Sequence, residues 1–135
     1  MGAWGADPFG NDEACDWVYE LEEKGYTHLI STLQKIVEIG SEYLELKEGA
    51  QAIAAADVIS KLRGHFYARN SYTESIDAWV AENSTQLPTK ETIQLALEAL
   101  KRIRGERSEI QELWEGSNRE EWHQHLDDLE GRLVI

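Results

Sequence analysis

Ala50-Gln51-Ala52-Ile53-Ala54-Ala55-Ala56-Asp57-Val58-Ile59-Ser60-Lys61-Leu62 is the stretch that decides the fold. At about 100° per residue its apolar side chains cover nearly the whole circumference of a helix, so that helix has to be enclosed by others. The small alanines let neighbours approach closely, and Ile53, Val58, Ile59 and Leu62 supply the volume that fills the space between them. The expectation is an all-α, single compact domain of about six to seven helices around this central alanine-rich segment.

Outward from that centre, turn and cap signals divide the chain. Toward the N-terminus, Leu29, Leu33, Ile36 and Val37 recur at helical spacing and predict a helix over about 27–39. Before it, Ala14, Trp17, Val18 and Leu21 form the inner stripe of a first helix over about 12–23, capped by Asn11 and ended by Gly25. Residues 42–48 are charged and read as a connection or a helix start. Toward the C-terminus, Gly64 stops the central helix and residues 65–70 are aromatic and irregular. Ser71 with Glu74 has capping-box spacing and opens a helix through about 83, with Ile76, Trp79 and Val80 inward. Thr89 caps the helix that carries Ile93, Ala96, Leu97, Leu100 and Ile103. Two further capping boxes, Ser108 with Gln111 and Ser117 with Glu120, open the last two helices. The first turns Ile110, Leu113 and Trp114 inward; the second does the same with Trp122, Leu126, Leu129 and Leu133. No segment alternates apolar and polar residues as a half-buried strand does, so no sheet is expected.

Residues 1–11 are different in kind. They hold three of the ten glycines, Pro8, Trp4 and Phe9, and read as an irregular lead-in folded onto one end of the helical core.

Composition restricts function. The 135 residues suit one domain, and a single cysteine, Cys15, excludes an internal disulfide framework. No run of about 18 apolar residues offers a membrane span, and no signal-peptide pattern opens the chain, so the cytoplasm is the expected location. Thirteen basic against 26 acidic residues give a net charge of −13. Nucleic acid and anionic lipid would be repelled at long range, whereas a basic protein would be attracted. The densest positive cluster, Lys101, Arg102, Arg104 and Arg107, is surrounded by Glu98, Glu106 and Glu109 and reads as a solvated helix end.

Few residues suggest chemistry. Asp12 and Asp16 share a helix face with Asp7 in the preceding loop, and three such oxygen donors could hold Mg²⁺ or Ca²⁺. Equally, Asp7 and Asp12 suit the positive end of a helix dipole. Asp57 lies within the apolar central helix, where an unpaired carboxylate would have a raised pKa; pairing with Lys61 at i+4, or with an arginine from another helix, is the structural alternative. His123 and His125, two apart on a helix, point away from each other and cannot share a metal; Asp127 and Glu121 are their respective i±4 acids. No glycine-rich phosphate loop and no paired metal-ligand motif is present.

The residues 1–5 motif Met1-Gly2-Ala3-Trp4-Gly5, followed by Pro8-Phe9, Asn11-Asp12 and Asp16-Trp17, resembles the opening of an uncharacterised bacterial family, the domain of unknown function 4259. The similarity continues through 50–58 and through Ser108-Glu109, Leu113-Trp114, Trp122 and Arg132-Leu133. Gly10 stands where an acidic residue would be expected after the phenylalanine. The resemblance implies a single compact unit and carries no activity. Charge without chemistry leads to the expectation of a non-enzymatic acidic module that binds a basic protein. By analogy, an immunity-type inhibitor or regulatory protein fits that description. Its anchors would be the aromatics Trp4, Phe9 and Tyr72. The rival expectation is a small metal-dependent enzyme or metal-binding domain using Asp7, Asp12, Asp16 and Asp57. A homo-oligomeric structural protein is the third.

Overall fold

In the computed structural model, residues 12–64, 74–83, 85, 87–116 and 119–134 are described, with side chains from Asp16 onward in the first helix and from Ile76 onward in the fourth. Seven helices lie among these residues: α1 (Asp12–Lys24), α2 (Tyr26–Ile39), α3 (Leu46–Leu62), α4 (Glu74–Glu82), α5 (Lys90–Arg104), α6 (Glu109–Glu115) and α7 (Arg119–Val134). The helix α3 begins four residues before the alanine-rich stretch, and every residue from Gly49 to Leu62 is buried. It packs against every other helix. A helix apolar all round can be stable in water only in such a position.

The predicted inner stripes are the observed ones. Trp17 and Leu21 of α1, Leu29, Leu33 and Ile36 of α2, Ile76 of α4 and Leu100 and Ile103 of α5 have no exposed surface, and the same is true of Leu129 and Leu133 of α7. Each such side chain contributes roughly 1.5–3 kcal/mol by leaving water. Val37 departs most: it was expected inward and is 39% exposed, because Ile36 and Leu33 already supply the buried face of α2, while Ile93, Leu97 and Leu113 are half-buried.

Local chemistry sets the ends. Thr89 Oγ1 accepts from the Thr92 N–H at 3.2 Å, and Ser108 Oγ accepts from the Gln111 N–H at 3.5 Å, as their spacing predicted. Gly25, at φ 79°, makes the reversal between α1 and α2 that an L side chain resists. Gly49 answers a different need. A Cβ placed there would meet Ile110 Cγ2 at 2.8 Å, so the glycine is what lets α6 lie close on α3. The turns before α3 and after α5 are joined by Leu44, whose N–H donates to the Arg107 carbonyl and whose carbonyl accepts from Glu109 N–H, both at 2.8 Å. This isolated bridge, Leu44 to Ser108, is the sole β-type pairing among the described residues.

Arg102 fastens the same junction. Its guanidinium donates to the carbonyls of Gly40 (2.7 Å), Glu42 (2.5 Å), Glu106 (2.9 Å) and Arg107 (3.2 Å). The expectation of a solvated basic helix end therefore needs correcting at two of its four residues. Arg102 is a tie between turns, and Arg104 pairs with Asp127 at 2.8 Å and Glu130 at 3.1 Å on α7. Both were unreadable from sequence because their partners are brought in by packing.

Candidate functional site

Asp57, at 1% exposure, sits between two cations. Arg132 Nη1 donates to its Oδ1 at 2.9 Å, and Lys61 Nζ stands 3.7 Å from its Oδ2. The same Arg132 nitrogen donates to Ser60 Oγ at 2.9 Å, and its Nε donates to Asp128 Oδ2 at 2.7 Å. Lys61, itself 2% exposed, reaches Asp77 of α4 at 3.3 Å. Both structural partners weighed from the sequence are thus present, the i+4 lysine and an arginine from another helix. The cluster joins α3 to α7 and α4, and it is expensive to break because each charge is out of water. Arg63 extends the joint by donating to the carbonyls of Arg132 and Leu133 at the end of α7.

A second polar joint links α5, α6 and α7. Arg104 Nη2 lies 3.0 Å from His123 Nδ1, and His123 Nε2 lies 3.0 Å from Glu115 Oε1. A guanidinium only donates, so Nδ1 accepts and the proton sits on Nε2, where it donates to Glu115. That bond holds the Glu115 carboxyl below its ordinary value of 4.5, assisted by Arg119. Of the two expected pairs, His125 does meet Glu121, at 4.0 Å. His123 does not take Asp127; Glu115 reaches it first from α6, and Asp127 turns to Arg104.

The outer surface carries the remaining features. On α1, Asp16 and Tyr19 are exposed, Tyr19 at 71%, and Glu22 and Glu23 are exposed beside them. Positions 16, 19 and 23 are spaced three and four apart and share one helical face. A second acidic aromatic point is Tyr43, 45% exposed, whose hydroxyl donates to Glu112 Oε1 at 3.3 Å. Partial burial raises the Tyr43 pKa above 10.0, and Glu112, Glu109 and Glu45 raise it further.

Of the residues singled out from the sequence, Trp4, Phe9, Asp7 and Tyr72 lie outside the described residues, and the side chain of Asp12 does too. Asp16 projects on the exposed face of α1 while Asp57 is enclosed within α3. Among the described residues no group of three or more His, Cys, Asp and Glu side chains comes together in a way that could hold a metal ion. Among the described residues no helix is long and apolar enough to cross a membrane. The exposed tyrosines Tyr19 and Tyr43 were not foreseen. Tyr19 could have been: it falls on the α1 face opposite the Trp17, Val18 and Leu21 stripe.

An all-α domain wound around one buried helix, acidic outside and ion-paired at its internal joints, is the class that fold and surface define. The chain belongs to the family described as domain of unknown function (DUF4259), whose model matches residues 2–125. No curated protein and no solved structure matches it.

Proposed function

We propose that the protein is a non-enzymatic acidic interaction module that binds a basic protein partner, with Asp16, Tyr19 and Glu23 of α1 at the centre of contact. The observation that carries this reading is Tyr19, 71% exposed among carboxylates on a chain of net charge −13. A tyrosine offers a large, nearly rigid contact surface with a polar tip, the usual make-up of an interface anchor. The surrounding carboxylates would speed encounter with a basic surface and penalise acidic competitors. Inhibition or regulation of the partner, as by an immunity-type protein, is the role such a module would play.

The test starts with capture from the source cells on the tagged chain. The captured partner is then purified and its Kd measured at about 50 and about 200 mM salt, a range over which exposed charges become screened. The expected result is a basic partner bound at least about tenfold more weakly at the higher salt. Tyr19→Ala should weaken binding by about 30-fold, the loss of a strong anchor. A complex indifferent both to salt and to Tyr19→Ala would overturn the proposal.

A further inference from the structure

His123 links three helices through its two ring nitrogens. From α5, Arg104 Nη2 donates to Nδ1 at 3.0 Å; toward α6, Nε2 donates to Glu115 Oε1 at 3.0 Å. The neutral ring is thereby fixed in one tautomer with both nitrogens in use. The arrangement suits only that charge state. A second proton can enter only at Nδ1, where it turns an acceptor into a donor aimed at a guanidinium and sets two cations in contact.

The charges around the ring favour that proton. Arg104 of α5 and Arg119 of α7 are the cations of the joint; Glu115 of α6 and Asp127 and Glu130 of α7 are its acids. Two positive charges against three negative leave the joint at −1 with a neutral ring and at zero with an imidazolium. Of these six side chains, only the histidine is of a type that ordinarily titrates between about pH 5 and 8. Its side chain is 23% exposed, so water can deliver the proton. The charged groups by which α3 meets α7, Asp57, Lys61 and Arg63, gather instead around Arg132 and the end of α7, about 13 Å farther along the helix. Arg104 also has an alternative to the ring. Its Nη1 already holds Asp127 at 2.8 Å and Glu130 at 3.1 Å. Glu115 has no cause to leave, since it accepts from Nε2 in either charge state and more strongly from an imidazolium.

We propose that His123 is a pH-sensitive coupling between α5 and α6: protonation expels Arg104 from Nδ1 onto Asp127 and Glu130, while the ring keeps Glu115. Above the transition, one ring bridges α5 and α6. Below it, the imidazolium holds α6 and the guanidinium holds α5, each separately against α7. The helices stay packed through their apolar faces, and what acid removes is the polar link from α5 to α6. The switch is independent of the partner proposed for α1.

The experiment is an NMR titration of the ¹⁵N-labelled full chain from about pH 8 to about pH 5, the span in which histidines change charge. At the alkaline end the His123 ring should show a protonated Nε2 and a bare Nδ1. As the ring takes its second proton, the side-chain N–H resonances of Arg104 should shift with the same midpoint. Two other histidines serve as controls: His125, which points the other way on α7, and His28 on α2, whose pKa burial lowers below 6.5. Their titrations should leave Arg104 unmoved. In His123→Gln, a change at a partly exposed position, the Arg104 resonances should stay flat over the whole range. The proposal is overturned by a proton on Nδ1 at the alkaline end, by a His123 ring still neutral at the acid end, by Arg104 resonances that do not follow that ring, or by an Arg104 shift that survives in His123→Gln.

Discussion

Replacing Asp57 by asparagine keeps the shape of the side chain and deletes the one charge that Arg132 and Lys61 share. Lys61 would keep Asp77 at 3.3 Å, and Arg132 would keep Asp128 at 2.7 Å and Ser60 at 2.9 Å. Asp128, however, has a side chain 47% exposed, so its hold on a buried guanidinium is diluted by water. Breaking a buried pair costs about 3–5 kcal/mol; the surviving partners place Asp57→Asn near the lower end, about 3 kcal/mol. Against a total stability of roughly 5–15 kcal/mol that is a severe loss. In urea, with a slope of about 1.5–2 kcal/mol/M, the midpoint should fall by about 1.5–2 M. Arg132→Met should cost less, about 2 kcal/mol, because Asp57 then keeps Lys61 and Asp128 can be hydrated. The double variant should lose less than the sum, since removing the arginine removes the cation that Asp57→Asn leaves stranded. Unfolding followed by tryptophan fluorescence measures all three. A midpoint shift under about 0.5 M for Asp57→Asn, or strictly additive losses, would refute the account of this cluster.

Three further outcomes follow from other parts of the fold. Gly49→Ala gains about 1 kcal/mol of helix propensity but drives a methyl to 2.8 Å from Ile110 Cγ2, so it should destabilise on balance by about 1 kcal/mol. In an Ile110→Ala background the same change should turn stabilising, as paired thermal melts would show. Arg102→Met removes four hydrogen bonds to the turn carbonyls of Gly40, Glu42, Glu106 and Arg107 and should lower Tm by roughly 5–10 °C. Arg102→Lys should not restore it, because an ammonium lacks the planar fork. For pH, the folded state holds the His28 pKa below 6.5, so beneath that value the unfolded chain binds more protons than the folded one. The His28 contribution is therefore intact above about pH 6.5 and is lost as pH falls toward the lowered value. Urea midpoints at about pH 7.5 and 5.5 should fall more for the natural chain than for His28→Gln; an equal or smaller fall speaks against it.

Much of this architecture can be read in the chain because it depends on local signals. Thr89, Ser108 and Gly25 act within their own turns, and the stripes of α4, α5 and α7 need only helical periodicity. The start of α3 was less visible, since Lys47 and Glu48 carry charge where the core stripe had not yet begun. The long-range pairs were invisible for a physical reason. Arg132 and Asp57 are 75 positions apart, and Arg102 meets carbonyls, which every residue possesses.

The position of α3 also governs the order in which the molecule can be made. Synthesised from its N-terminus, the chain presents α3 well before α7 exists. Until then Asp57 and Ser60 lack the guanidinium that joins them, and the α3 face that α7 covers stays wet. Partial products up to α5 can bring α1, α2, α3 and α5 together, but the joint near Asp57 closes only with the last helix. Folding of this chain is therefore completed late, after α7 has left the ribosome, and the nascent protein spends that interval with its most apolar helix incompletely enclosed.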